Sequence, residues 1–220
     1  ERSHVNPGYR ADEVEVNWKE EAGVFAPRKE VDRARGAEAV VEIGETAVAK
    51  RRVGKTYRVP ALDRRLIAER TRAEARTISA ARRSGVPTPI LRDITEDTIW
   101  MERVEGDLLK YALSPHAVWE AGRIVGRLHA AGIVHGDLTT SNMILRDGQI
   151  VLIDFGLAQV TSEIESRGVD IHVFFQTLES TAPDAGDLKR AFAEGYAETF
   201  AGAAEVLRRE QEIERRGRYL

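Results

Sequence analysis

Short runs of apolar and β-branched residues in the first half of the chain predict β-strands, with one long helix between them. The four runs are residues 39–43, 46–50, 90–95 and 99–104. Gly44 and Glu45 lie between the first two runs, where they predict a hairpin turn. Residues 62–83 predict a helix that stops before Gly85, a residue typical of helix ends. The pattern therefore indicates a small β-rich region with one helix.

Apolar residues at helical spacing dominate the second half of the chain, apart from one predicted hairpin. A helix is predicted to follow Ser114, a candidate N-cap, and to end at Gly132. The dipeptide Asp147-Gly148 separates the apolar runs 143–145 and 150–153, which predicts the hairpin. Further apolar stripes predict helices to the end of the chain, and the first of these is expected to open at Asp170.

These patterns divide the chain into three parts. Residues 1–35 contain several Pro and Gly and little periodicity, so they are interpreted as a linker or tail. Residues 36–104 are expected to form a small β-rich lobe, and residues 105–220 a mainly helical lobe. The predicted fold class is therefore α+β with two lobes.

Composition excludes several classes of protein. The chain has no Cys, which excludes disulfide frameworks, thiolate zinc sites and Cys nucleophiles. No apolar run approaches the roughly 20 residues of a membrane-spanning helix, and no N-terminal export signal is visible. We therefore expect a globular protein of the cytoplasm that does not enter a membrane.

Arginine and lysine occur in local clusters although the net charge is −3. The clusters are residues 50–52, 64–65, 82–83, 208–209 and 215–216. Such clusters are either patches that contact phosphate groups or ordinary solvated helix faces, because phosphate contact depends on the local field. The sequence leaves both interpretations open.

Two motifs around the predicted hairpin indicate phosphoryl transfer. The residues from His135 to Asn142 match H-x-D-L-x-x-x-N, and Asp154-Phe155-Gly156 matches D-F-G, the catalytic loop and metal motif of the protein-kinase fold. The hairpin would bring Asn142 and Asp154 together as oxygen ligands of Mg²⁺, while Asp137 would face the attacking oxygen. Each motif alone is also compatible with a turn, a cap or a strand-end carboxylate, but their joint order favours a protein-kinase-like fold.

A kinase site also needs a cation on the ATP phosphates and a carboxylate that fixes this cation. Lys50 follows Val48 and Ala49 on the second predicted strand and supplies the cation. Glu74 lies on the apolar stripe of the long predicted helix, so its carboxylate is expected to face the core and to need a cationic partner. Glu69 lies off that stripe and is expected in solvent.

Three features depart from a regulated protein kinase. No G-x-G-x-x-G precedes Lys50, so the backbone amides of this loop are expected to contact the ATP phosphates less closely than those of a protein kinase do. The segment from Asp154 to the helix expected at Asp170 is short and lacks an A-P-E motif. Thr139 stands where protein kinases commonly place a Lys. The last two features favour ATP hydrolysis over efficient phosphorylation of a peptide.

Several strings resemble one family closely. They are Gly36-Ala37-Glu38-Ala39, the string KTYRVPALD from Lys55, Glu74-Ala75-Arg76, HGDLTTSNMI from His135, IDFGL from Ile153 and RRGRYL from Arg215. The resemblance runs from Gly36 to Leu220 and is to the small atypical kinase and ATPase subunit of the KEOPS complex, the PRPK family. It implies a bilobal kinase-like fold, ATP with Mg²⁺ as cofactors, and a role in the synthesis of N6-threonylcarbamoyladenosine in tRNA.

The leading segment carries a second resemblance. Residues 6–16 are similar to the C-terminal end of the threonylcarbamoyl-transferase subunit of the same complex, which some archaea fuse to the kinase. The chain is therefore interpreted as the kinase half of such a fusion, although a tail without this origin is the alternative. The implied partners are the transferase, the small activating and dimerising subunits, and tRNA through the complex.

The resemblance also implies roles for single residues. They are Lys50 for the α- and β-phosphates, Glu74 for orienting Lys50, Asp137 for catalysis, Asn142 and Asp154 for Mg²⁺, and backbone groups of Glu102 and Val104 for adenine. The alternative for residues 101–106 is an ordinary linker between the lobes. Arg215, Arg216 and Arg218 resemble the family's basic tail, or they are cations suited to a helix end.

Two other functions stay open at this level. One is a small-molecule phosphotransferase of the aminoglycoside or choline kinase type, for whose acceptor pocket the C-terminal lobe shows no spare length. The other is a scaffold that binds ATP without turnover. An ATP turnover assay on variants of Asp137 and Asp154 distinguishes these functions.

Overall fold

The computed structural model describes residues 32–35, 39–183 and 185–217, which form two compact units. Within these ranges, the first unit comprises 32–35, 39–72 and Leu91–Arg103, and the second comprises Ala73–Ile90 and 104–183 with 185–217. The predicted domain limits at residues 36 and 105 stay a prediction. In the described ranges, every helix falls short of the length and apolar character that crossing a membrane requires.

The first unit is built on a five-stranded antiparallel sheet with the order β1-β2-β3-β5-β4. Its strands are β1 (Asp32–Arg35), β2 (Ala39–Ile43), β3 (Ala47–Arg52), β4 (Leu91–Ile94) and β5 (Thr98–Glu102). Both predicted hairpins are confirmed, with strand ends that move by one or two residues. Lys50 lies in the central strand β3, opposite Val41 and Ile99.

Strand β1 is a correction to the sequence analysis, which assigned residues 1–35 to a linker or tail. Asp32–Arg35 pairs antiparallel with β2 and extends the sheet by one edge strand. Its sequence, Asp-Arg-Ala-Arg, has no β-branched or aromatic residue, so the pattern gave no strand signal. Charged residues are common on edge strands because they discourage pairing with other chains. The similarity of residues 6–16 to the transferase lies outside the described residues.

Helix α1 (Pro60–Arg83) confirms the predicted long helix and begins two residues earlier than expected. Its first residue is a proline, which suits a helix start because the first backbone N–H groups have no partner within the helix. Asp63 in the first turn accepts hydrogen bonds from the backbone N of Lys55 at 3.1 Å and from Arg58 Nη1 at 3.3 Å. These bonds fix the chain that leads from β3 into α1.

The second unit is mainly helical and carries two small sheets. Its elements are β6 (Asp107–Leu108), α2 (Pro115–Ala130), β7 (Ile133–Val134), β8 (Met143–Arg146), β9 (Gln149–Leu152), β10 (Gln159–Val160), α3 (Ile164–Thr181), α4 (Ala185–Thr199) and α5 (Ala203–Gly217). Strands β8 and β9 form the predicted hairpin, β8 also pairs with β6, and β7 pairs with β10. Ser114 caps α2 by accepting a hydrogen bond from the backbone N of Ala117, as predicted.

Helix α3 begins at Ile164, so the prediction that Asp170 opens it was wrong. Asp170 lies inside the helix and is buried. Glycine is unfavourable in helix interiors, so the sequence around Gly168 did not predict the first turns of this helix. A side chain at this position would press on Arg209 and Ile213 of α5, so the close packing of the two helices requires glycine.

Helices α3 and α4 contribute an aromatic core to the second unit, and α2 packs closely against α4. The rings of Phe174, Phe192 and Tyr196 are buried. The ring centroid of Phe192 lies 4.8 Å from that of Phe174 and 5.9 Å from that of Tyr196. Gly122 and Gly195 allow the backbones of α2 and α4 to approach closely. This core supports the end of α2, from which the chain passes through β7 into the loop with the predicted catalytic residues.

Candidate functional site

The loop that follows β7 brings two of the predicted site residues into direct contact. Asn142 Nδ2 donates hydrogen bonds to the backbone carbonyl of Asp137 and to its Oδ2, both at 2.9 Å. The backbone N of Asn142 also donates to the carbonyl of Thr139 at 3.0 Å, within a short 3₁₀ turn. The loop therefore holds the carboxylate of Asp137 against the amide of Asn142.

The hairpin of β8 and β9 brings the segment of Asp154 back to this loop. Met143 pairs with Leu152, and the backbone N of Ile153 donates to the carbonyl of Asn142 at 3.0 Å. Asn142 is thus paired with the residue that immediately precedes Asp154. Asp154 has φ of +61° and an exposed side chain, and its Oδ1 accepts a hydrogen bond from the backbone N of Gly156. The hairpin therefore joins the two segments, whereas the binding of one Mg²⁺ by the side chains of Asn142 and Asp154 stays a prediction.

Asp170 anchors the loop to helix α3, a role that the sequence analysis missed. Its Oδ2 accepts a hydrogen bond from the backbone N of His135 at 2.6 Å, and its Oδ1 accepts one from the backbone N of Gly136 at 2.8 Å. The carboxylate is 2% exposed, so these charge-assisted bonds lie away from water. They fix the backbone immediately before Asp137.

A buried chain of hydrogen bonds continues from Asp170 into the helical core. His129 Nε2 lies 3.3 Å from Asp170 Oδ2, and His129 Nδ1 lies 2.7 Å from the hydroxyl of Tyr196. Burial lowers the pKa of His129, and burial raises the pKa of Tyr196. A neutral His129 therefore donates a hydrogen bond through Nε2 to the carboxylate and accepts one at Nδ1 from the Tyr196 hydroxyl. This arrangement orients the carboxylate of Asp170.

His135 and Gly136 tie the loop to the segment after β9. His135 Nε2 donates to the carbonyl of Ile153 at 3.0 Å, and its ring lies 4.9 Å from that of Phe155. Gly136 has φ of +80°, and any side chain there would overlap the carbonyl oxygen of Leu157. Both features keep the two motifs in register, so a residue other than glycine at position 136 would separate them.

The structure buries Lys50, expected to bind the phosphates of ATP, and Glu74, expected to orient Lys50. Lys50 is 9% exposed and belongs to the first unit, whereas Glu74 is 3% exposed and belongs to the second. The prediction that Glu74 is inward and Glu69 outward is confirmed, because Glu69 is exposed and pairs with Arg65 at 2.8 Å. The ion pair expected between Lys50 and Glu74 stays a prediction.

The remaining predicted residues occupy less constrained positions. Glu102 ends β5 opposite Ala47, and Val104 lies in the irregular segment that follows; both are partly buried. Arg215 and Arg216 lie exposed in the last turn of α5. Arg218 lies outside the described residues.

The donor types at positions 142 and 154 fit a magnesium ion. A carboxamide and a carboxylate supply the hard oxygen atoms that Mg²⁺ prefers, and protein magnesium sites commonly use only one or two such side chains besides phosphates and water. In the described ranges, no group of three or more His, Cys, Asp or Glu side chains is arranged to hold a metal.

The fold and this loop together define a protein of the protein-kinase type. The chain matches the RIO domain family over residues 45–169. It is 48% identical to a probable serine/threonine-protein kinase BUD32 homolog of Archaeoglobus fulgidus, covering 84% of this chain and 94% of that protein. The chain therefore belongs to the RIO-domain family, in its Bud32-like group, as the resemblance of the motifs implies.

Longer relatives and a solved structure extend this comparison. A probable bifunctional tRNA threonylcarbamoyladenosine biosynthesis protein of Methanoculleus marisnigri is 68% identical over the whole chain, which spans only 42% of that relative. The Rio2 kinase of Chaetomium thermophilum, in an ADP/Mg²⁺-phosphoaspartate complex, superimposes with a TM-score of 0.60 at 16% identity, covering 87% of this chain and 72% of that one. The predicted bilobal kinase-like α+β fold is thus confirmed.

Proposed function

We propose that the chain is an ATP- and magnesium-dependent kinase or ATPase that acts as the kinase subunit of a KEOPS-type assembly in tRNA threonylcarbamoyladenosine synthesis. The observation that carries the chemistry is the hydrogen bond from Asn142 to the carboxylate of Asp137, at the start of the hairpin that leads to Asp154. The biological role rests on the similarity to the longer Methanoculleus marisnigri protein, which is named for tRNA threonylcarbamoyladenosine biosynthesis.

Asn142 and Asp154 are the proposed ligands of magnesium. Because both contacts of Asn142 Nδ2 go to Asp137, the amide is oriented with Oδ1 as its remaining ligand atom. Asp154 adds a carboxylate from the far side of the hairpin. When bound with ATP, the metal neutralises charge that develops on the transferring phosphoryl group.

Asp137 is the proposed catalytic residue. Its carboxylate is held by Asn142, and the backbone before it is fixed by Asp170. A carboxylate in a fixed position orients an attacking hydroxyl or water and accepts its proton. The main contribution of the protein is to position this carboxylate, because phosphoryl transfer needs little covalent catalysis.

Lys50 and Glu74 are proposed to act on the ATP phosphates, Lys50 directly and Glu74 by positioning Lys50. Their burial supports this assignment, since buried charges are retained where a partner or ligand compensates them. Backbone groups of Glu102 and Val104 are proposed to contact adenine.

The balance between kinase and ATPase is proposed to favour hydrolysis of ATP, with weak phosphorylation of Ser or Thr. Helix α3 begins at Ile164, which leaves an even shorter segment after Asp154 than the sequence analysis expected. Thr139 also leaves the loop without the positive charge that protein kinases commonly use. The proposed partners are the transferase, the small activating and dimerising subunits, and tRNA.

The test is magnesium-dependent ATP turnover by the chain and by D137N and D154N, with and without the transferase and tRNA. Asn is chosen at position 154 because it tolerates the left-handed backbone found there. We expect each variant to lose at least about 100-fold in kcat, since general-base catalysis and electrostatic stabilisation each contribute factors of this size.

The matched control is D187N, which changes an exposed carboxylate on α4 that pairs with Arg190. It should keep the turnover of the unmodified chain. Magnesium-dependent ATP binding with no phosphate release above that of D137N would instead establish a nucleotide-binding scaffold and overturn the enzymatic proposal.

A further inference from the structure

The solvent side of helix α1 carries an excess of positive charge, although the whole chain has a net charge of −3. Its exposed arginines are Arg64, Arg65, Arg70, Arg72, Arg76, Arg82 and Arg83. The helix has three carboxylates, of which Asp63 and Glu74 are buried. Glu69 is the one carboxylate of α1 that faces solvent. The positive excess is therefore local to this helix face.

Four of these arginines align on one side of the helix. At about 100° per residue, Arg65, Arg72, Arg76 and Arg83 fall within roughly 40° of one another. We call these four residues the arginine stripe. With a rise of about 1.5 Å per residue, the stripe is about 27 Å long. Its charges are thus spread along a line rather than gathered at one point.

The arginine stripe is available for an external ligand. Within the described ranges, Arg72, Arg76 and Arg83 form no ion pair and no side-chain hydrogen bond. Arg65 pairs with Glu69, and its side chain is 77% exposed. Because this pair is exposed to solvent, it contributes little stability, and a stronger anion displaces it readily.

The chemistry of the stripe favours a chain of phosphates over a membrane or an apolar protein surface. The apolar side of α1, with Ile67, Ile78 and Ala81, is buried in the protein and cannot enter a lipid bilayer. Guanidinium groups bind phosphate oxygens in a bidentate manner, and a line of them matches a polyanion backbone.

We propose that the arginine stripe of α1 binds the phosphate backbone of RNA. The choice of tRNA as that RNA rests on the proposed function, whereas the surface itself rests on four exposed arginines, of which Arg65 pairs with Glu69. The stripe positions the RNA without reading its sequence, because phosphate contacts carry no base information.

The test measures binding of fluorescently labelled bulk tRNA to the 220-residue chain by anisotropy, over a range of salt concentrations. The variant R72Q/R76Q removes two charges from the middle of the stripe and keeps good helix formers. We expect its Kd to rise at least about tenfold at ~0.1 M salt. The slope of log K against log salt should become shallower by about 1.4–1.8, as the loss of two phosphate contacts requires.

Two further variants control this result. R72K/R76K keeps the charges and should recover most of the affinity. R190Q/R208Q removes two exposed arginines from α4 and α5 and should leave the Kd within about twofold, because it removes no stripe contact. An equal loss in R190Q/R208Q, or no loss in R72Q/R76Q, overturns the proposal.

Other outcomes separate this proposal from neighbouring ones. ATP turnover without RNA should be the same in R72Q/R76Q and the unmodified chain. If neither shows turnover but R72Q/R76Q still weakens tRNA binding, the enzymatic proposal fails and the RNA surface stands. If phosphatidylserine vesicles bind through the stripe while tRNA does not, the stripe is a lipid surface and the RNA proposal is wrong.

Discussion

Asp170 connects the loop of Asp137 to the helical core through bonds that no other residue type makes equally well. A carboxylate offers two acceptor oxygens, and here the backbone N–H groups of His135 and Gly136 use one each. His129 adds a third donor, and Tyr196 holds His129 in the matching protonation state. The position of Asp137 therefore depends on residues that never contact a substrate.

The variant D170N tests this dependence. Asn replaces one acceptor oxygen by an NH₂ group, so one buried backbone N–H loses its partner, at a cost of about 1–3 kcal/mol in the free energy of unfolding. We expect kcat for ATP turnover to fall by up to about 100-fold through misplacement of Asp137, with a smaller change in KM. Thermal unfolding and steady-state kinetics measure the two effects. A stability loss without a fall in kcat, measured where the variant is folded, would show that Asp170 is structural only.

At the residue scale, the sequence identifies candidate site residues where the proposed function depends on side-chain type. Asp137, Asn142 and Asp154 are recognisable because their motif order is specific, and Glu74 because its helical stripe is apolar. Asp170 escapes detection because its partners are backbone N–H groups, which are present at every non-proline residue and leave no pattern in the sequence.

Helices α2 and α4 form the most closely packed pair of elements around the core of the second unit. A side chain at Gly195 would overlap the carbonyl oxygen of Trp119, and one at Gly122 would overlap that of Phe192. The two helix backbones therefore approach more closely than residues with a Cβ allow. This contact supports Tyr196 and the buried chain of hydrogen bonds that reaches Asp170.

Gly195→Ala should destabilise the protein through this contact. The added methyl group forces the helices apart, and overpacking of this kind costs about 1–3 kcal/mol. Gly186→Ala on the same helix is the control, because a side chain there meets no atom within 4 Å. The control should be neutral or more stable by up to about 1 kcal/mol, since alanine favours helix. Denaturant unfolding measures the stability of both variants. Equal changes in the free energy of unfolding would contradict the packing argument.

At the element scale, the sequence predicts helices and hairpins that have strong local signals. Ser114 before α2 and Asp147-Gly148 between β8 and β9 are such signals, and both elements are found. The failures are β1, whose residues lack strand propensity, and the start of α3, where Gly168 disfavours helix locally. Strand β1 is stabilised by pairing with β2, and the start of α3 is stabilised by packing against α5.

At the scale of the whole molecule, the proposed residues are divided between the two units. Lys50 lies in the first unit, and Glu74, Asp137, Asn142 and Asp154 lie in the second. The proposed binding of one metal ion by Asn142 and Asp154 therefore concerns the second unit alone. This proposal is the central claim, because the metal would hold the ATP phosphates that Lys50 is proposed to bind and that the oxygen oriented by Asp137 would attack.

The most direct measurement is anomalous diffraction from crystals of the chain grown with Mn²⁺ and a non-hydrolysable ATP analogue, with Mn²⁺ standing in for Mg²⁺. The account predicts one metal peak within about 2.0–2.3 Å of both Asn142 Oδ1 and a carboxylate oxygen of Asp154, as oxygen ligation of such ions requires. A nucleotide bound with its metal away from either of these two side chains would contradict the account.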